Sequence, residues 1–213
     1  MNKQTRLASL GWLTLFFEAA ERCALYPISM EMLHRFIYLA NVLSPLSKVK
    51  MPNEYTLKHR RGPYFPQAQY DIGILVAQRV IEATDISVIQ DEYGFWLKGN
   101  YRITKYGLSI TDKINEQSIL ENYSFFLREF FGALSLLHHE EILNINSYEI
   151  HYKAVEDGQG VDISIPDNNY TRYAVSKLFP TSRLQTPREG IHRYISYLTN
   201  TLHVQEENYH EDR

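Results

Sequence analysis

The chain carries a single cysteine, Cys23, so no disulfide framework holds it together. Cys23 lies in an apolar helical run and is expected to be a small buried core residue. A membrane-spanning stretch of about 18 uninterrupted apolar residues is also missing. Lys3 and Arg6 precede the first apolar segment, and Glu18 and Glu21 break it. No secretory cleavage pattern is visible. These absences predict a cytoplasmic protein with no membrane association. A positive charge balance is lacking too: the formal net charge is −3, where a general nucleic-acid binder is usually basic. That leaves only a local basic face for such a role. There is no P-loop, no dinucleotide glycine fingerprint, no zinc-protease helix motif and no nucleophile elbow. No internal repeat is present. The expectation is a chain that is not an enzyme and needs no cofactor.

Tryptophan is scarce, with 2 residues against 16 Tyr and 10 Phe. At 213 residues and 44% hydrophobic, the chain has enough apolar mass for a substantial core. Most tyrosines of such a chain rim that core; the rest suit amphipathic contact surfaces.

Hydrophobic periodicity outlines the elements. Residues 8–25 predict a helix with Leu10, Leu13, Phe17, Ala20 and Ala24 at helical spacing. Trp12, Leu15 and Phe16 widen that stripe, so the helix is expected to be buried on more than one side. Pro27 ends it. Ser29 is the candidate N-cap of a second helix, with Met32 where a capping-box glutamate would sit. Leu33, Phe36, Ile37 and Ala40 mark its apolar face, and Ser44-Pro45 closes it. Residues 45–65 read as an irregular connector with a local positive field, from Lys48, Lys50, Lys58, Arg60 and Arg61 against Glu54.

Residues 66–83 predict a helix opened by Pro66. Ala68, Ile72, Leu75, Val76 and Val80 line one face; Tyr70, Ile74, Ala77 and Ile81 line nearly the opposite one. Gln67, Asp71, Gln78 and Glu82 form the solvent stripe. Arg79 falls inside the apolar arc, where it snorkels or pairs with a partner carboxylate. Ile86–Ile89 and Gly94–Leu97 predict a hairpin, and Tyr101-Arg102-Ile103-Thr104 an added edge strand. Residues 117–137 predict a helix, 142–155 are ambiguous, and 157–160 and 166–169 predict turns. Thr186-Pro187-Arg188-Glu189 starts a last helix, followed by a polar tail from Val204 that is expected to fray. The predicted class is mainly α with a small β-hairpin. A winged-helix-like half would span residues 1–113 and a helical half residues 114–213.

Candidate chemistry is sparse. His138-His139-Glu140-Glu141 is the densest group of possible metal ligands. Neighbouring helical residues point about 100° apart, so only His138 and Glu141 would share an ion, and no third ligand accompanies them. Asp71 and Glu82 are too far apart along a helix for an acid/base pair. Two carboxylates on the helix that a winged helix would offer to the major groove also disfavour base reading there. The run Lys58, His59, Arg60, Arg61 is a candidate phosphate contact or a solvated loop. Lys58, Arg60, Arg61 and Arg79 are the candidate partner- or phosphate-binding residues.

Several of these segments occur together in a known family. Pro27-Ile28-Ser29 opens a helix containing Leu33-His34 and Ile37-Tyr38-Leu39-Ala40-Asn41-Val42-Leu43-Ser44-Pro45. Arg60-Arg61-Gly62-Pro63-Tyr64-Phe65-Pro66 follows, then a helix around Asp71, then Tyr101-Arg102-Ile103-Thr104 before Gly107. This pattern resembles the middle component of bacterial ABC three-component systems, the small subunit of Lamassu-type defence against phage and plasmids. The resemblance covers most of the first half and is weaker in the second, and its motifs are structural. It implies a non-catalytic subunit that bridges an SMC-like ATPase to an effector nuclease, with DNA reached through the complex. The alternative is a stand-alone winged-helix DNA-binding regulator.

Overall fold

A computed structural model describes residues 3–52, 55–92, 94–116, 120–162, 171 and 186–211. The first helix, α1, runs Lys3–Arg22. Trp12, Leu13, Leu15, Phe16, Phe17, Ala19 and Ala20 are all buried, as a helix apolar beyond one stripe requires. Ala24 lies past its end in the left-handed region, with φ 58. Cys23 is half-buried at that end rather than in the core, and burial pushes its thiol up.

Strand β1 (Ile28–Ser29) leads directly into α2 (Met30–Leu43). Ser29 caps α2 as expected, accepting from the Met32 N–H at 3.3 Å. A short 3-10 turn, Ser44–Ser47, closes the helix. The connector expected to be irregular is in fact a hairpin of β2 (Tyr55–His59) and β3 (Gly62–Tyr64). Its tight turn holds Arg60 and Arg61, and Gly62 at φ 122 supplies the conformation that L side chains rarely adopt.

Helix α3 (Pro66–Ala77) is shorter than the predicted 66–83. The chain turns at Gln78 and Arg79, the latter with φ 61, and runs into β4 (Ile81–Asp91) and β5 (Gly94–Ile103). Val80 and Ile81 continued the apolar pattern, so periodicity alone extended the helix; a short apolar run fits either element. Tyr101-Arg102-Ile103 is the inner end of β5, not a separate edge strand. Helix α4 spans Lys105–Asn115. Thr104 caps it, accepting from the Gly107 N–H at 2.9 Å and donating to the Arg79 carbonyl at 2.7 Å. A Cβ on Gly107 would meet the Val80 carbonyl oxygen at 2.2 Å, so only glycine lets α4 approach this turn.

The rest is α5 (Glu121–Leu134), α6 (His139–Tyr148), α7 (Ile150–Lys153), β6 (Gly160–Asp162) and α8 (Pro187–Glu211). The ambiguous 142–155 stretch is therefore largely helical. The last helix starts at the expected Thr186, whose hydroxyl accepts from the Glu189 N–H at 3.3 Å. It continues to Glu211, through most of the tail expected to fray. The turn expected at 166–169 lies outside the described residues. Among the described residues no helix is long and apolar enough to cross a membrane.

The molecule is mainly α with two small antiparallel sheets, ordered β1-β5-β4 and β3-β2-β6. The expected division at 113/114 runs through a shared core. Phe131 of α5 meets Phe16 at 4.8 Å and Phe36 at 5.5 Å between ring centroids, both edge to face. Strand β6, from the second half, pairs with β2 from the first. Replacing Phe131 by Ala removes the shared ring and leaves a cavity, a loss of about 3–5 kcal/mol. Chemical unfolding should show that loss as one transition by fluorescence and circular dichroism alike; two separated transitions would mean that the halves fold independently. Gly107→Ala should cost about 1–3 kcal/mol by the same measurement, because the obstructing atom is backbone.

Candidate protein-interaction surface

Strands β4 and β5 form a long hairpin that projects from the helices. At its base, Ile81 pairs with Ile103 and Ala83 with Tyr101, and Ile81, Tyr101 and Ile103 are buried in the core. The register shifts between Thr84 and Ser87. Three steps along β4 there match two along β5, from Asn100 to Lys98. Asp85 takes a left-handed conformation at this bulge, with φ 54, and its carboxylate accepts from the Asn100 amide at 3.0 Å.

The bulge reverses which β4 residues face the core side. Beyond it, Val88 lies opposite Leu97 and Gln90 opposite Phe95. A Cβ built on Gly99 would meet Ile86 at 3.5 Å, which puts Ile86 on that face too. Ile86, Val88, Phe95 and Leu97 thus continue the core face of the sheet past the helices that cover its base. They are 57%, 65%, 75% and 39% exposed. Together they make an exposed apolar face beyond the helices.

On the opposite face Trp96 is half-buried, while Ile89 beside it stays exposed. Trp96 stacks on His59 with ring centroids 5.5 Å apart and an angle of 21°. Tyr64 leans on it at 6.1 Å, and the Arg61 guanidinium lies 4.9 Å from its ring centre. Trp96 therefore clamps the basic β2–β3 turn to the projecting hairpin. Sequence reasoning missed Trp96 in this role, because nothing in its neighbours along the chain points to His59.

The four candidate cations have separate fates. Arg60 stands exposed at the turn. Arg61 lies half-buried against the indole. The Lys58 ammonium donates to the Tyr152 carbonyl at 3.0 Å and the Val155 carbonyl at 2.5 Å, so it fastens β2 to the α7 end. Arg79 is exposed at the α3–β4 turn, not inside an apolar arc, and carries no burial penalty that a partner must relieve. The expected solvent stripe is also corrected. Asp71 is fully buried, accepting from the Ser9 hydroxyl at 2.6 Å and the Gln67 amide at 3.0 Å. Glu82 sits on β4. The exposed positions of α3 are Pro66, Gln67, Tyr70, Gly73 and Ala77, none of them a cation.

His138 and Glu141 form a helix cap. The Glu141 carboxylate accepts from the His138 backbone N–H at 2.7 Å, the reciprocal half of a capping box. Among the described residues no group of three or more His, Cys, Asp or Glu side chains comes together to hold a metal ion.

His34 of α2 positions the β2–β3 hairpin against α3. Its Nδ1 accepts from the Phe65 N–H at 3.2 Å, and its Nε2 faces the Gln69 side-chain oxygen at 3.2 Å. That geometry places the ring proton on Nε2, donating to Gln69. Burial lowers the His34 pKa from 6.5 to about 4, so the folded protein holds the ring neutral. No protein-family model matches the chain, and no curated protein matches it.

The His34 shift predicts acid sensitivity with a definite sign. Between pH 6.5 and 4 the unfolded chain binds the extra proton. The contribution is full above 6.5 and is lost as pH falls to about 4, up to ~3 kcal/mol. His34→Gln should be less stable at pH 7, and its deficit against the parent should shrink by about that amount by pH 4. A deficit independent of pH would show that His34 does not titrate with folding.

Proposed function

We propose that the chain is a non-catalytic bridging subunit of a defence complex, joining an SMC-like ATPase to an effector nuclease. The observation that carries the reading is the uncovered apolar face of Ile86, Val88, Phe95 and Leu97. Water-exposed side chains of this size on a projecting hairpin are stabilised by a partner that buries them. An aliphatic groove of about 670 Å³ between α1 and α4, walled by Leu7, Leu10, Ile110, Ile114 and Leu120, offers a second apolar surface.

In this proposal the first half is a winged-helix unit. The order α1, β1, α2, α3, β4, β5 and the sheet order β1-β5-β4 support it, with the β4–β5 hairpin as the wing and β2–β3 inserted before α3. The helix that would enter a groove, α3, presents Gln67, Tyr70, Gly73 and Ala77. A base-reading helix uses Arg, Lys or Asn at such positions, so this wing and helix fit protein docking better than stand-alone DNA reading.

Co-expression with an SMC-like ATPase and an effector nuclease, followed by affinity capture, tests the proposal. The parent should retain both partners and, purified alone, bind an apolar dye. Val88→Glu with Phe95→Glu should abolish capture and reduce dye binding while leaving the melting temperature nearly unchanged, since both side chains are exposed. A dye-silent monomer that captures neither partner would overturn the reading. So would sequence-specific DNA binding that survives the double substitution, which favours the stand-alone regulator.

A further inference from the structure

A cavity of about 220 Å³ opens between the β2–β3 turn and α7. Cations reach it from four places in the chain: Arg35 of α2, Lys58 of β2, Arg60 of the turn and Lys153 of α7. Among the described residues Asp157 is the one acid in its lining. In a chain of net charge −3, this is a local reversal of sign.

The two inner cations are held in place. The Arg35 and Lys58 side chains are only 12% and 16% exposed. Arg35 donates to the Leu143 carbonyl and, at 3.1 Å, to the Arg61 carbonyl; Lys58 donates to the Tyr152 and Val155 carbonyls. Carbonyl oxygens orient a cation without cancelling its charge. Glu31 pairs with Arg35 at 2.7 Å, but Asp157 stands 3.9 Å from Lys58, too far for a direct hydrogen bond. Arg60 and Lys153 stand exposed at the rim, where a ligand enters. Gly62 forms part of the wall, and a Cβ there would come within 3.4 Å of the Arg35 guanidinium, so glycine keeps the guanidinium edge clear.

Volume and charge together select the ligand. The cavity equals about seven waters at ~30 Å³ each, room for one or two phosphoryl groups. An arginine fork beside lysine point charges suits tetrahedral oxyanions. We infer that this pocket binds a phosphoryl group, either as a free phosphate or diphosphate or as the terminal phosphate of a nucleic acid strand. The site uses Arg35, Lys58, Arg60 and Lys153, leaves Arg61 to Trp96, and is independent of the bridging role.

The test is titration of the full chain at low salt with inorganic phosphate, pyrophosphate, and matched oligonucleotides ending in a 5′-phosphate or a 5′-hydroxyl. Saturable binding of phosphate or pyrophosphate is expected, weakened roughly tenfold or more by the rim pair Arg60→Glu with Lys153→Glu at an unchanged melting temperature. A preference for the 5′-phosphate over the 5′-hydroxyl strand, lost in the rim variant, assigns the ligand to a nucleic acid end. Equal affinity for both strands, with pyrophosphate binding retained, assigns it to a free anion. No saturable binding of any probe by the parent, or binding unchanged in the rim variant, overturns the site. Partner capture by the rim variant separates this result from the bridging proposal.

Discussion

Helix α2 is buried on all sides, and the fold depends on how its polar groups are matched. Of Met30–Leu43, only Glu31 and Arg35 reach solvent. A polar group taken out of water costs free energy unless it is hydrogen-bonded; Asn41 bonds within α2, to the Ile37 carbonyl, while His34, Arg35 and Tyr38 become links to neighbours. His34 holds Phe65 and Gln69. Arg35 spans to Leu143 of α6 and to the Arg61 carbonyl of the hairpin turn. Tyr38 donates to Glu149 at 2.6 Å. Glu149 is itself fully buried and also accepts from the Tyr152 N–H at 2.7 Å, the Tyr194 hydroxyl at 3.3 Å and the Thr171 hydroxyl. Four donors on one carboxylate fill its acceptor sites. Burial and the nearby Glu149 charge hold the Tyr38 hydroxyl well above its ordinary pKa, so it stays a donor. The second half is thus tied to the first through polar contacts that would be costly to break singly.

The projecting hairpin shows the converse. Its base is covered by helices, while its far end carries apolar side chains that no described residue buries. The bulge at Asp85 sets which β4 residues share that face. Without the extra residue, Ser87 rather than Ile86 and Val88 would continue the face that Ile81 and Ala83 begin. The inserted residue puts Ile86 and Val88 on the face that Leu97 and Phe95 of the unbulged β5 already occupy. Trp96, on the other face, is committed to His59, Arg61 and Tyr64.

Positive charge is divided by the same packing. Lys58, Arg60 and Arg61 are near neighbours in the chain, yet β-strand alternation and a tight turn send them to different places. Lys58 goes to the carbonyls at the end of α7, Arg61 to an indole, and Arg60 to the rim of a cavity. Arg35 and Lys153, remote in sequence, join Lys58 and Arg60 there.

Local features were legible along the chain. The Ser29 and Thr186 caps, the closure at Ser44-Pro45, the burial of α1 on several sides and the presence of a hairpin after residue 85 all follow from steric and hydrogen-bonding preferences within a few residues. The end of α3 was not legible, because Val80 and Ile81 fit a helix face and a buried strand equally well. Asp71 looked solvent-facing by helical spacing, and only the approach of Ser9, sixty-two positions away, shows why it is buried. The Arg79 position, the bulge that exposes Val88, the Trp96 clamp and the cavity around Lys58 are likewise tertiary. The sequence by itself determined which short segments are helical, capped or extended, because those choices rest on nearest-neighbour sterics. Which face of each segment is covered, and which charges meet, was decided only by packing between segments far apart in the chain.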